Sequence, residues 1–189
     1  MKKILSIILF GLIITSNCMA YEEANYEVTK KNEIYEIRKY SDRLAIEVEI
    51  SNQGNSFRKL FKYISGDNEN NEEIKMTTPV TQMEKKGNMT MQFYLPSRFN
   101  KSNTPNPSNS DIKILNIKTG YYAVIIYSGR ASDKNFIKHK NILKNELRKN
   151  NILILSPPIK ATYNNPFTLP LLRRNEAMFV INIEDKGEI

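Results

Sequence analysis

Residues 55–80 read NSFRKLFKYISGDNENNEEIKMTTPV, a helix, a break and the start of a strand. On a helical wheel Phe57, Leu60, Phe61 and Ile64 fall within roughly 100° of arc, the width of the buried stripe on a surface helix. Arg58, Lys59 and Lys62 lie on or beside the opposite face. Gly66 stops the helix, DNENNEE makes a solvated loop, and the chain re-enters as a strand through Met76-Thr77-Thr78-Pro79-Val80. A helix lined with aromatics and flanked by cations either caps a core or floors a shallow site for a flat, apolar, anionic ligand.

Upstream, Ile34, Ile37 and Tyr40 suggest a strand, and Tyr21–Lys31 a tail or a pairing lead-in. Leu44, Ile46, Val48 and Ile50 alternate with Glu47 and Glu49, the period of a half-buried strand. Asn55 or Ser56 is the expected N-cap of the helix that follows. Downstream, strands are predicted over 78–83 and 89–95, with Met89, Met91, Phe93 and Leu95 on one face. Residues 96–110 are rich in Pro, Asn and Ser, a loop long enough to suggest a purpose or mobility.

The second half repeats the order of the first. Strands are predicted over 112–118 and 121–127, then a helix over Asp133–Lys149 with Phe136, Leu143 and Leu147 on one face. Pro157-Pro158 ends any strand begun at Leu153–Leu155. Asn164-Asn165-Pro166-Phe167 is turn chemistry, and 177–183 reads as a closing strand. The pattern is a pseudo-duplication over roughly 33–95 and 112–183. Antiparallel strands with only two helices predict an α+β fold with a curved or closed sheet, since closure removes edges that invite association.

The ends and the composition narrow the class. Lys2 and Lys3, the apolar run Ile4–Ile14 and the small-residue site ending at Ala20 read as a signal peptide. The run falls short of the about 20 residues a spanning helix needs. The chain is therefore expected to be secreted and periplasmic, not transmembrane after processing; a lipoprotein acylated at Cys18 is the minor alternative. Residues 21–189 are expected to form one domain. Cys18 is the only cysteine, so its removal leaves no disulfide or thiolate site. With Lys2 and Lys3 gone, the net charge of +8 drops by two to +6. Its positives are scattered among acids, unlike the clustered footprint of nucleic-acid binding.

Catalytic patterns are missing as well. The sequence has no HExxH, no glycine-rich phosphate loop and no GxSxG. The one histidine, His139, has Lys138, Lys140 and Asn141 beside it and no acid to orient it. No structural metal is expected, and no residues assemble a nucleophile or an acid–base pair. Arg173 and Arg174 are adjacent and must point in different directions. One is expected to pair internally and the other to face a site, where arginine geometry suits a carboxylate.

Three motifs, Tyr35-Glu36-Ile37-Arg38-Lys39-Tyr40, residues 57–68 and residues 74–80, together with the late Arg173-Arg174-Asn175-Glu176, closely resemble the SOUL haem-binding protein family. The resemblance covers about 26–183. It implies two βαβββ-like pseudo-repeats forming a distorted antiparallel β-barrel with two packed helices. It also implies non-enzymatic binding of haem or a related tetrapyrrole in a hydrophobic surface cleft, as a carrier or buffer, by an exported bacterial monomer. Mapped onto this chain, the floor would be Phe57, Phe61 and Ile64, with Arg58, Lys62, Arg173 and Arg174 as candidates for the ligand's carboxylates. An iron ligand is left open among Tyr63, a methionine and His139. Two other readings of the scaffold are a general small-molecule or lipid-binding module and a structural or protein-interaction domain. Because the second helix is a twin of the first, both must pack on the sheet, so only the exposed edge of the first can be a site.

Overall fold

A computed structural model describes residues 21–183; the leader read in residues 1–20, Cys18 included, lies outside the described residues. The first half comprises β1 (Glu22–Glu23), β2 (Tyr26–Lys31), β3 (Glu36–Tyr40), β4 (Arg43–Glu49), helix α1 (Gln53–Ile64), β5 (Thr77–Thr78), β6 (Val80–Lys85) and β7 (Asn88–Tyr94). The second comprises β8 (Lys113–Ile117), β9 (Gly120–Tyr127), helix α2 (Asp133–Lys149), β10 (Leu153–Ile154), β11 (Ile159–Thr162), a 3-10 turn (Pro170–Leu172) and β12 (Asn175–Asn182).

The main sheet runs β2-β3-β9-β12-β11-β6-β7-β4-β8, with β10 on β12, and its neighbours are antiparallel. It curls into a half-barrel with β2 and β8 at its edges, while β1 and β5 form a separate parallel pair. The expected α+β fold, a distorted antiparallel sheet with two packed helices, is the one the chain adopts. Matching β3-β4-α1-β6-β7 with β8-β9-α2-β11-β12 turns the order from β3 to β8 into itself read backwards. A pseudo-two-fold therefore runs between β6 and β11. Each half lends its first strand to the other, β3 pairing with β9 and β8 with β4.

Strand alternation sorts the side chains into three cores. Leu44, Ile46 and Val48 of β4 join Met91 and Phe93 of β7 under Leu60, Tyr63 and Ile64 of α1. Ala123, Ile125 and Tyr127 of β9 join Ala177, Phe179 and Ile181 of β12 under Leu143 and Leu147 of α2. Tyr40, Tyr122, Ile159, Ala161, Tyr163 and Met178 fill the opposite face.

Helix α1 starts earlier than expected. Asn52, not Asn55 or Ser56, is the N-cap, its Oδ1 accepting from the Gly54 and Asn55 amides at 3.0 and 3.3 Å. Ser56 lies within the first turn and donates to the Asn52 carbonyl. At the other end Gly66 takes φ +105°, while the Asp67 amide reaches the Lys62 carbonyl at 3.0 Å, closing the helix in a Schellman motif. Helix α2 has the bounds its sequence predicts, with Ser132 as N-cap.

Two segments differ from the sequence reading. Beyond Pro157-Pro158 the chain resumes as β11, and this four-residue strand joins the two halves by pairing with β6 and β12. Its signal is weak because Lys160 interrupts a short run. The loop over 96–110 is tied across the end of α1: Tyr63 donates to the Pro105 carbonyl at 2.8 Å, and the Glu69 amide to the Asn106 carbonyl at 3.0 Å.

A chain of alternating charges crosses the face opposite the helices. Arg38, 0% exposed, donates to Glu36 and, through Nη1, to both oxygens of Glu176 at 3.1 Å. Glu176, also 0% exposed, accepts from Arg174 at 2.8 and 2.9 Å and from the Tyr163 hydroxyl at 2.7 Å. Lys31 pairs with Glu36 and Arg174 with Glu23, so the series carries equal numbers of each sign. Burial works against the Arg38 charge, but the Glu176 carboxylate, together with Tyr40 and Glu36, more than offsets this and holds the guanidinium protonated.

Removing one partner of such a buried set strands the others' charge. Glu176→Gln is therefore expected to lower unfolding stability by about 3–5 kcal/mol, read as a shifted urea midpoint at unchanged slope; an unchanged midpoint would show that the network is not needed. Alkali probes the cores. Burial pushes Tyr40, Tyr63 and Tyr127 up to about 12, with nearby carboxylates adding to it at Tyr63 and Tyr127. The unfolded phenols titrate near about 10, so this contribution is complete below that pH and is lost as pH rises from there toward the folded values. Absorbance at 295 nm should show these tyrosines ionising only with unfolding. Full ionisation near pH 10 with the fold intact would contradict the packing.

Candidate ligand-binding cleft

The pseudo-two-fold dictates where a cleft can open. Helix α1 lies over β4 and β7, and α2 over β9 and β12. The central pair β6–β11 lies between these two covered regions, and its face becomes a floor. The register pairs Val80 with Thr162 and Gln82 with Lys160, so these four side chains share that face. The cleft above them has a volume of about 700 Å³, within the usual range for small-molecule sites.

Helix α1 supplies one wall. Ser56, Leu60, Tyr63 and Ile64 are buried, whereas Phe57 and Phe61 are 41 and 49% exposed. One face of the helix thus packs on the sheet and its edge turns to the cleft. Phe57 and Phe61 stack on each other, centroids 6.1 Å apart at 13°, and Phe57 meets Phe93 edge-on at 5.1 Å. Met76 and the buried Met91 add thioether surface, and Tyr21 lies at the rim. The opposite wall is Ala131, Tyr163, the turn Asn164-Asn165-Pro166 and Arg173.

Two cations reach the cleft. Lys160 is 7% exposed, and its Nζ lies 2.9 Å from Oδ1 of Asp133, the first residue of α2. Asp133 itself is open to water, so a buried ammonium is balanced by an exposed surface carboxylate. Arg173 lines the wall and donates to the Thr168 and Pro166 carbonyls at 2.7 and 2.5 Å. Arg174 points the other way, held by Glu176 and Glu23 with its guanidinium 3.8 Å from the Tyr163 ring centre.

Of the residues singled out from the sequence, the fold brings Phe57, Phe61 and Arg173 together in the cleft. Ile64 lies in the core beneath α1, Arg58 and Lys62 are exposed outside the cleft lining, and Arg174 belongs to the buried network. Lys160, Gln82 and Thr162 were not singled out from the sequence as site residues. A lysine between Ile159 and Ala161 was the available signal, since a charge inside a β-like apolar run is unusual. Among the proposed iron ligands, Tyr63 is buried and bonded to Pro105, and His139 stacks on Tyr127 at 4.0 Å with Nδ1 against the Asn135 carbonyl. The methionines Met76 and Met91 are the ones that line the cleft. No group of three or more His, Cys, Asp or Glu side chains that could hold a metal ion occurs among the described residues, and none of their helices is long and apolar enough to cross a membrane.

Known proteins match this architecture. The family model described as SOUL heme-binding protein matches residues 21–180. Heme-binding protein 2 of Mus musculus is 31% identical over 143 residues, 70% of this chain and 67% of its own length. The crystal structure of the EcmrR C-terminal domain aligns with a TM-score of 0.60 over 83% of this chain and 98% of that one, at 13% identity. A hydrolase from Listeria innocua aligns with a TM-score of 0.55 over 82% and 94%, at 8% identity. At those identities the two structures share the fold alone. The sequence matches go further: the chain belongs to the SOUL heme-binding protein family.

Proposed function

We propose that the cleft binds haem or a related tetrapyrrole without covalent chemistry, and that the protein serves as a carrier or buffer. The observation that carries this reading is the pairing of a stacked aromatic wall, Phe57 and Phe61, with two cations, Lys160 and Arg173, in one open cleft. Family membership and the mouse relative's name support it. A bound tetrapyrrole supplies a broad apolar π-face and carboxylates, and the residues present fit both.

The two phenylalanines offer an apolar, polarizable surface to a flat ring, and Val80, Met76 and Met91 extend it. Lys160 holds a charge that burial makes expensive without a counter-ion. A ligand carboxylate can take the place of the Asp133 carboxylate, which then returns to water. Arg173 uses Nε and Nη2 on backbone carbonyls, leaving further N–H donors of its five for a ligand. Where iron is present, the Met76 and Met91 sulfurs and the Tyr21 phenol are the donors the lining offers. Recognition therefore rests on the ring face and the carboxylates.

Titration with haemin is expected to give a saturable Soret band near one per chain, weakened about tenfold or more by Phe57→Ala with Phe61→Ala. Absence of a band, with no quenching of tyrosine fluorescence, would exclude the reading. Lys160→Gln is expected to weaken protoporphyrin binding about tenfold but leave its dimethyl ester nearly unaffected, because a charge-assisted contact exists only for the free acid. Equal losses for both would show that Lys160 shapes the cleft without binding a carboxylate.

A further inference from the structure

The segment 166–172, PFTLPLL, runs between two residues of the cleft wall, Pro166 at its start and Arg173 just after it. It carries the four most exposed large apolar side chains of the described residues: Phe167 at 93%, Leu171 at 84%, Leu172 at 71% and Leu169 at 67%. None belongs to the three cores. Scattered single apolar residues on a surface need no explanation, but four within six positions on one projecting turn do.

We propose that this tip is a membrane anchor that enters the headgroup–acyl boundary of a bilayer bearing anionic lipids. Much of its backbone is already paired, which lowers the cost of entering a medium poor in water. Pro166 and Pro170 have no N–H. The Phe167 and Thr168 amides donate to the side chain and the carbonyl of Asn165, and the Leu172 amide to the Leu169 carbonyl. The Arg173 guanidinium takes the Pro166 and Thr168 carbonyls, and the Arg173 and Gly129 amides both take that of Pro170. The side chains project from a turn fixed by its own hydrogen bonds.

Charge selects the bilayer over a protein partner. Arg173 directly follows the tip and is bonded to its backbone carbonyls, so it keeps its net charge there. Exposed Arg130 adjoins Gly129, which is bonded to the tip, and exposed Lys134 follows on α2; Asp133 between them pairs with Lys160. An apolar tip with cations behind it is the pattern of an interfacial anchor. A stable protein interface needs about 800 Å² of complementary surface per partner, whereas this is one convex turn. Docking places the cleft mouth at the membrane, where an apolar ligand partitions; that consequence rests on the tetrapyrrole reading, and the docking itself does not.

The chain has no tryptophan, so Phe167→Trp places a single indole at the tip. In the full-length protein without tetrapyrrole, its emission is expected to shift to the blue with vesicles of phosphatidylcholine and phosphatidylglycerol. Lipids brominated high in the acyl chain should quench it, and added salt should weaken the response. Adding Leu171→Ser and Leu172→Ser should reduce the tip's partitioning more than tenfold. An indole that ignores anionic vesicles, or responds equally in the serine variant, would overturn the proposal. So would a shift that follows protein concentration without lipid, which would assign the tip to a second copy of the chain.

Discussion

The Glu176 carboxylate is the point on which the arrangement hangs. It is sealed from water and accepts from Arg38, Arg174 and Tyr163, side chains that come from β3, from the lead into β12 and from the end of β11. Three remote stretches must therefore meet at one spacing, and a slip of one residue in β12 would carry the carboxylate to the other face of the sheet. The value of such a set lies in geometry, because removing charges from water costs about as much as their attraction returns. Its effect reaches the cleft. Arg174 turns inward to Glu176, so Arg173 turns outward, where it ties down the loop and lines the cleft wall.

The cleft is a by-product of the same symmetry that builds the sheet. Two copies of a β-β-α-β-β unit meet through β6 and β11, and each helix covers the strands of its own half. The middle of the sheet has no helix of its own. What fills the gap distinguishes this chain: phenylalanines on one side, a lysine in the floor and a proline-bearing loop on the other. Helix α2 has no aromatic pair equivalent to Phe57 and Phe61, so the pseudo-symmetric frame carries an asymmetric site.

The fold was largely legible in the sequence. The alternation of β4 and β7, the glycine stop at Gly66 and the bounds of α2 follow from period and capping, which act over a few residues. The reading slipped where local signals were short or ambiguous. Asn52 caps α1 because its side chain reaches the Gly54 and Asn55 amides, and an adjacent Asn or Ser offered the same chemistry on paper. Strand β11 is four residues with a lysine inside and prolines before it, too little for a period-two signal. The wheel placed Phe57, Leu60, Phe61 and Ile64 on one stripe, but Ser56 and Tyr63 complete the buried face and leave the two phenylalanines at its edge.

Residue order therefore carried the element types, the duplication and the motifs that name the family, since each is written in neighbouring positions. Which edge of the aromatic stripe lines the cleft, which of two adjacent arginines faces it, and that Lys160 lies in its floor depended on pairings between distant strands. Lys160 faces Gln82 only because β11 pairs with β6, and Arg173 faces outward only because Glu176 holds its neighbour. Local pattern does not encode such contacts; they exist once the two halves have closed on each other. For residues 55–80, the question of core or pocket is answered by both, divided between the inner face and the edge of one helix.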